Sequence, residues 1–403
     1  MDRITIVIPT YWSWPNGQSG SVQDAIFDHP TALDREGTLV RCLESLRNLE
    51  GPPFQVLIIT AAVNQQLTEA VESRVEQIMA PFKKDFPILQ FAPSDLIHVR
   101  KVLYDHGLET GLAGLGSYAE IRNCQLLGAA ILGSDLIVGI DDDETVPGDY
   151  LRKALVGLEE KKIPPIDGLA GVYLDQDGGY LLKETDEARR SSNIFIRKAI
   201  LINDQFSAFF NLSHRIVETV LALGGNMVFT EKLFRNVAFD PGITRGEDID
   251  YLLNSKLLGY HWYLDKELTI THLPPPKSPD DPPNTSEYAK LQQDILRFLY
   301  QKEKIRLSLE SPSVVSLETG DFGIYPGTFF REDVESQALE ALQMLCPSGS
   351  EQGHFLPPEQ LMRQARERAR RAGSFLCFNE AWKQAMERLT DDPGLREQLR
   401  KKV

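Results

Sequence analysis

Three consecutive carboxylates, Asp141, Asp142 and Asp143, follow directly on an apolar β-like run, Leu136 to Ile140. Crowded at a strand end, they repel one another and lose hydration unless a cation or a proton offsets the charge. A divalent metal is the simplest offset, and an oxygen-rich set of this kind suits Mg2+ or Mn2+, with diphosphate oxygens completing the shell. The other reading is a solvated acidic turn that caps the next helix through Asp143 or Glu144. His272 is the second candidate. It closes the β-like stretch LTITH and precedes three prolines that stiffen the backbone, and its plain alternative is an ordinary core or surface histidine. The third is Gly246-Glu247-Asp248 in PGITRGEDIDYLL, where acids open a helix and would in any case stabilise its dipole.

These groups depend on the elements that carry them. Ile4 to Ile8 reads as a buried strand stopping at Pro9-Thr10, residues 38–48 place Leu39, Cys42, Leu43 and Leu46 at helical spacing, and Phe54 to Thr60 reads as a second buried strand. That β-α-β unit predicts a parallel sheet. A helix near 66–80, a strand at Ile88 to Phe91 and an amphipathic helix over 118–132 lead into the strand Leu136 to Ile140. The Asp cluster is thereby expected at the carboxyl end of a parallel strand, where open α/β sheets bind ligands. Further on, the pattern predicts a helix over 151–161, a strand over 168–174, an irregular stretch over 176–212, helices near 213–223 and 247–258, and a strand from His261 to Leu264. The proline-rich segment 274–285 marks the end of the large domain. Beyond it, 287–308 and 358–390 read as helical, with a turn-rich stretch over 310–330. Arg363, Arg366, Arg368, Arg370 and Arg371 make a charged helix face, either solvated or an anion or partner site.

With 403 residues, 42% of them hydrophobic and 25% charged, the chain excludes disorder and fibres and has room for one large α/β domain plus an appendage. Its net charge of −15 opposes an electrostatic search for nucleic acid or anionic lipid, so an anionic ligand needs a local device. Cys42, Cys124, Cys346 and Cys377 lie far apart with no CxxC, which reads as buried thiols in a reducing compartment. The opening MDRITIVIPT lacks a signal-peptide pattern, and no apolar run reaches roughly 18 residues, so a cytoplasmic protein without an integral membrane segment is expected.

Five segments in this order resemble the nucleotide-sugar glycosyltransferases of the GT-A fold, closest to the large family 2 type. They are IVIPTYW (6–12), GSYAEIRNCQLLGAA (116–130), IDDDETVPGDYL (140–151), GGNMVFTEKLF (224–234) and FDPGITRGEDIDYLLNSKLLGY (239–260). The resemblance spans residues 3–275. It implies that Pro9 and Thr10 line the nucleotide pocket, that Arg122 lies near base or ribose, and that Asp141, with Asp142 beside it, touches ribose or metal-bound water. Asp143 and His272 would hold the metal, with Asp141 as a further ligand, and the ion would act as Lewis acid for the departing nucleoside diphosphate. Asp248, or else Glu247, matches the acid that accepts the acceptor hydroxyl's proton in inverting members, and Gly225 and Asn226 would border the acceptor pocket.

One segment departs from the family. Where members carry an Asp-Asp-Gly-Ser type turn after the second strand, this chain has Ile59-Thr60-Ala61-Ala62-Val63-Asn64, so Asn64 is the only polar replacement near the base, and uridine and guanosine both stay open. The stretch 176–223, where such enzymes vary in acceptor binding, carries Lys183, Arg189, Arg190 and Arg197, a cluster that would suit a small anionic acceptor such as a glycerate or phosphate ester, as in some retaining members.

The expected architecture is therefore an α/β protein with a Rossmann-like GT-A domain over 1–275 and a mainly helical extension over 276–403 that packs against it or forms a homo-oligomer. The expected activity is transfer of a hexose from UDP or GDP to a hydroxyl acceptor with Mn2+ or Mg2+. A nucleotidyltransferase would need a lysine or arginine in its first loop, and PTYWSWPNGQSG has none. A non-catalytic binding module has no physical reason to retain a repulsive acid cluster. A lipid-linked acceptor at a membrane surface is disfavoured by the net charge.

Overall fold

A computed structural model of the chain describes residues 3–15, 27–28, 30–275, 287–345 and 355–401. It is a mixed α/β structure built on one sheet of ten strands. The strands are β1 (Ile4–Ser13), β2 (Thr31–Ala32), β3 (Phe54–Ala62), β4 (Ile88–Phe91), β5 (Leu136–Gly139), β6 (Glu144–Thr145), β7 (Gly168–Leu174), β8 (Ile216–Glu218), β9 (Met227–Thr230) and β10 (Trp262–His272). Their order is β4-β3-β1-β5-β9-β7-β10-β6, with β2 beside β1 and β8 beside β10. The block β4-β3-β1-β5 is parallel, as the expected β-α-β unit requires. β9 runs antiparallel to both β5 and β7, and β10 is parallel to β7. The carboxyl ends of β1, β5 and β10 consequently meet along one edge.

The first strand continues through Pro9-Thr10 instead of stopping there. Its neighbour β5 ends opposite Val7, so Pro9 lies where β1 has only β3 beside it, a position that tolerates a missing N–H. The helices between these strands are α1 (Leu39–Leu46), α2 (Thr68–Met79), α3 (Pro93–Asp105), α4 (Tyr118–Leu132) and α5 (Tyr150–Leu158). The stretch expected to be irregular contains α6 (Asp186–Arg190) and α7 (Lys198–Asn211). The helix expected near 213–223 is instead β8 and its flanks, because Ile216 and Val217 find an antiparallel partner in Leu264 and Asp265. Two further helices, α8 (Glu231–Phe234) and α9 (Glu247–Leu257), precede β10.

The C-terminal extension comprises α10 (Glu287–Ser308), α11 (Gly327–Arg331), α12 (Val334–Leu345), α13 (Pro358–Ala369), α14 (Ser374–Thr390) and α15 (Pro393–Arg400). Helix α4 explains where it belongs. Read as amphipathic, α4 is buried at every residue from Ile121 to Leu132. One side lies on β1 and β3, and the other is covered by α14 and α15. A helix apolar all round needs two covering layers, and the extension is the second. Its Trp382, Met386 and Leu389 belong to the same continuous core as Ile6, Leu57 and Leu127. Of the thiols, Cys42 and Cys124 are buried as expected, Cys377 is exposed on α14, and Cys346 lies outside the described residues, as does most of the proline-rich segment. Among the described residues no helix is long and apolar enough to cross a membrane.

Strand β10 carries an irregularity that places its last residues. Leu264 pairs with Ala170 and Thr269 with Val172, so the four residues Asp265 to Leu268 stand opposite the single Gly171 of β7. Within this bulge the buried Asp265 accepts from Arg215 (2.6 and 2.7 Å) and from the Glu267 N–H (3.0 Å). Gly171 faces the bulge, and a Cβ there would run into the Leu268 carbonyl and the Asn226 amide. Gly171→Ala is expected to cost about 1–3 kcal/mol through this overpacking, measured as a fall in the urea midpoint; an unchanged midpoint would contradict the tight approach.

Candidate active site

The aspartate triplet forms a turn at the end of β5. The Asp141 N–H donates to Glu144 Oε2 (2.8 Å), and the Glu144 N–H to the Asp141 carbonyl (3.2 Å), which starts β6. β6 then pairs antiparallel with β10, setting Glu144 opposite His272. That pairing brings Asp143 Oδ2 to 3.2 Å from His272 Nε2. Asp143 also accepts the Leu273 N–H at its carbonyl (2.9 Å), and Arg41 on α1 donates to the Leu273 carbonyl. Arg41, which the residue pattern did not single out, ties the two strand ends together. The Tyr173 ring packs against the imidazole at 5.4 Å.

The three aspartates divide their work. Asp142 is turned inward, accepting from Thr10 Oγ1 (2.7 Å) and Thr38 Oγ1 (3.2 Å). Burial, then the neighbouring Asp143 charge, pushes its carboxyl up to about 7. Asp141 is paired with the guanidinium of Arg122 (2.9 Å) and Asp143 with His272. Burial alone would lower the His272 imidazole, but the Asp143 carboxylate outweighs it and the net shift is upward. Glu144, fully buried, is raised by loss of water and then by Asp141.

Arg122, on the first turns of α4, bridges two acids: Asp141 on the strand end and Glu247 at the start of α9 (3.3 Å). Glu247 is raised to about 7, first by burial and then by its neighbour Asp248. Asp248 is half-buried and accepts the Ile249 N–H with one oxygen (2.7 Å), while its second oxygen has no partner among the described residues. Loss of water raises this carboxyl too. Gly224 closes the gap, since a Cβ there would lie 2.6 Å from Arg122 Nη2 and 3.5 Å from Asp248 Cβ. Gly225 donates its N–H to the Tyr173 hydroxyl, and a Cβ on it would collide with the Glu144 carboxylate.

Thus Thr10, Arg122, Asp141, Asp142, Asp143, Gly225, Glu247, Asp248 and His272 gather at one edge of the sheet. Pro9 is buried within β1 just below them. Two expected residues serve elsewhere. Asn64 closes the turn after β3, its side chain accepting from the Gln66 N–H (3.0 Å). Asn226 is fully buried: it accepts from the Tyr150 hydroxyl (2.7 Å) and donates to the Leu268 (3.0 Å) and Val172 (3.3 Å) carbonyls, filling the β10 bulge. Its amide is thus engaged with the strand that carries His272. Of the basic residues on the variable stretch, Lys183, Arg189 and Arg190 are exposed, and Arg189 pairs with Glu184 (3.1 Å).

Asp143 and His272 form a mixed oxygen and nitrogen donor pair; the carboxylate suits Mn2+ or Mg2+, while the imidazole nitrogen favours the transition-metal ion, with oxygens of a bound ligand in the remaining positions. Among the described residues no group of three or more His, Cys, Asp or Glu side chains is placed to hold a metal ion, so the expected set of Asp141, Asp143 and His272 is not assembled, Asp141 being turned to Arg122.

Neither the protein-family models nor the curated proteins compared with this chain match it. Solved structures to which the chain shows similarity include the mannosyltransferase PcManGT from Pyrobaculum calidifontis in complex with GDP-Man and Mn2+, at 13% identity and a TM-score of 0.46, covering 96% of this chain and 86% of that one. S. aureus TarS gives 13% and 0.38, with 96% of this chain and 55% of that chain covered. GalNAc-T7 with UDP, GalNAc and Mn2+ gives 11% and 0.43, covering 85% of this chain and 57% of that chain.

Proposed function

We propose that the chain is a metal-dependent transferase of the GT-A type that moves a sugar from UDP or GDP to a hydroxyl acceptor. The observation that carries this reading is the contact between Asp143 and His272. The two residues are more than a hundred apart in the chain, yet one edge of the sheet sets them face to face beside the Arg122–Glu247 pair. A metal held by Asp143 and His272 would neutralise diphosphate charge and stabilise the departing nucleoside diphosphate. Arg122 orients Asp141 and Glu247 through its two ion pairs. With Glu247 engaged by Arg122, Asp248 is the carboxylate with an oxygen open to take the proton of an acceptor hydroxyl. Its raised affinity for protons suits that role.

The test is thermal unfolding with UDP, GDP, ADP, CDP or dTDP, each with and without Mn2+. Ligand at 100 times its dissociation constant stabilises by about 2.7 kcal/mol. One nucleotide is expected to raise the melting temperature only when metal is present. No shift with any pair would overturn the proposal.

A further inference from the structure

Along α10, Asp294, Arg297, Gln301 and Lys304 recur at spacings of three and four, where packed helices usually carry apolar residues. All four are at least nine-tenths buried, and the last three of them meet α9 or the glycine that opens it. At one end Lys304 donates to Asp250 (2.7 Å), Asn254 (2.8 Å) and Asp240 (2.9 Å), and Gln301 donates to Asp250 (3.0 Å). At the other end the Arg297 guanidinium lies against Gly246, whose φ of +70° opens α9, so closely that a Cβ there would collide with it. Arg297 Nη2 donates to Asp294 (2.8 Å) and to the Tyr325 hydroxyl (3.0 Å), while its Nε–H has no acceptor among the described residues. Asp294 also takes the Lys198 ammonium, so one carboxylate serves two cations.

A guanidinium at a helix N-terminus opposes the helix dipole, and this one is enclosed there. Two residues beyond Gly246 stands Asp248. We infer that Arg297 is a positioning residue for the active site: from the C-terminal extension it seats the Gly246 turn and holds the Asp248 carboxylate toward the cleft. This rests on the transferase reading given above, and it assigns the extension a part in the reaction.

Full-length Arg297→Lys and Arg297→Ala chains test it by two independent readouts. In Arg297→Lys, amide exchange of the 246–250 backbone is expected to be about tenfold faster than in the wild type, with exchange over 270–273 unchanged. With the donor identified by thermal shift and with Mn2+, its kcat should fall about 20-fold or more while the donor KM stays within about twofold, and methylguanidinium should restore part of the activity of Arg297→Ala. Wild-type exchange and wild-type kcat in Arg297→Lys would overturn the inference, as would a change confined to KM. If Arg297→Ala does not fold, Arg297→Lys decides. A wild-type chain that releases no nucleoside diphosphate from any donor would overturn the transferase reading instead, and the exchange comparison would still decide whether Arg297 holds the turn.

Discussion

Asp143→Ala is expected to lower metal-dependent sugar transfer by at least about 100-fold and to abolish the Mn2+-dependent part of nucleotide stabilisation. The fold should survive, because the Asp143 carboxylate pairs only with His272 among the described residues, and that imidazole is itself 39% exposed. Removing it also relieves repulsion on Asp142, whose carboxyl is held up to about 7 by burial and then by Asp143. The melting temperature without ligand should therefore stay level or rise. His272→Ala should reproduce the loss of metal dependence, since the two donors face one another across β6 and β10. Nucleoside diphosphate release measured over a Mn2+ titration checks both. An Asp143→Ala protein with full activity would remove the metal site from this edge of the sheet.

The largest effect on stability is expected at Lys304→Met. The ammonium is wholly enclosed and is the only cation in contact with Asp240 and Asp250 among the described residues, at 2.9 and 2.7 Å. Deleting one partner of such a buried cluster costs about 3–5 kcal/mol, because the carboxylates are left uncompensated. Chemical denaturation at neutral pH should show a loss of that size. Adding Asp250→Asn to Lys304→Met should recover part of it, since one of the stranded charges is then gone. A loss under about 1 kcal/mol would mean that water reaches the cluster and that α10 does not clamp α9.

Much of this architecture is legible in the residues. The strands Ile88–Phe91 and Gly168–Leu174 and the helices Tyr118–Leu132 and Glu287–Ser308 stand where their periodicity puts them, because each is long or apolar enough for one pattern to dominate. The segment around Ile216 does not: it pairs for only three residues, and its partner lies some fifty residues ahead. The pairing of Asp143 with His272 is legible through the resemblance of the ordered segments to the GT-A enzymes, since His272 by itself reads equally as an ordinary histidine. Asn226 beside two glycines reads as an open loop, and only the β10 bulge reveals the carbonyls that its amide satisfies. Arg297 and Lys304 were missed because cations on a helix read as solvated. A signal was present in the polar seam 294, 297, 301 and 304, but it takes meaning only beside Asp250 and Gly246 on the facing helix.

The bulge in β10 has a metric consequence for the donor pair. Side chains along a strand alternate between faces, so the number of residues between Leu264 and Thr269 decides on which side of the sheet His272 emerges. Removing a single residue there, if the strand beyond slips by one position and the bulge does not absorb the change, would send the imidazole to the opposite surface, with the Asp143 carboxylate untouched. The spacing of the two donors is thus gauged by the length of an irregularity a few residues upstream of His272.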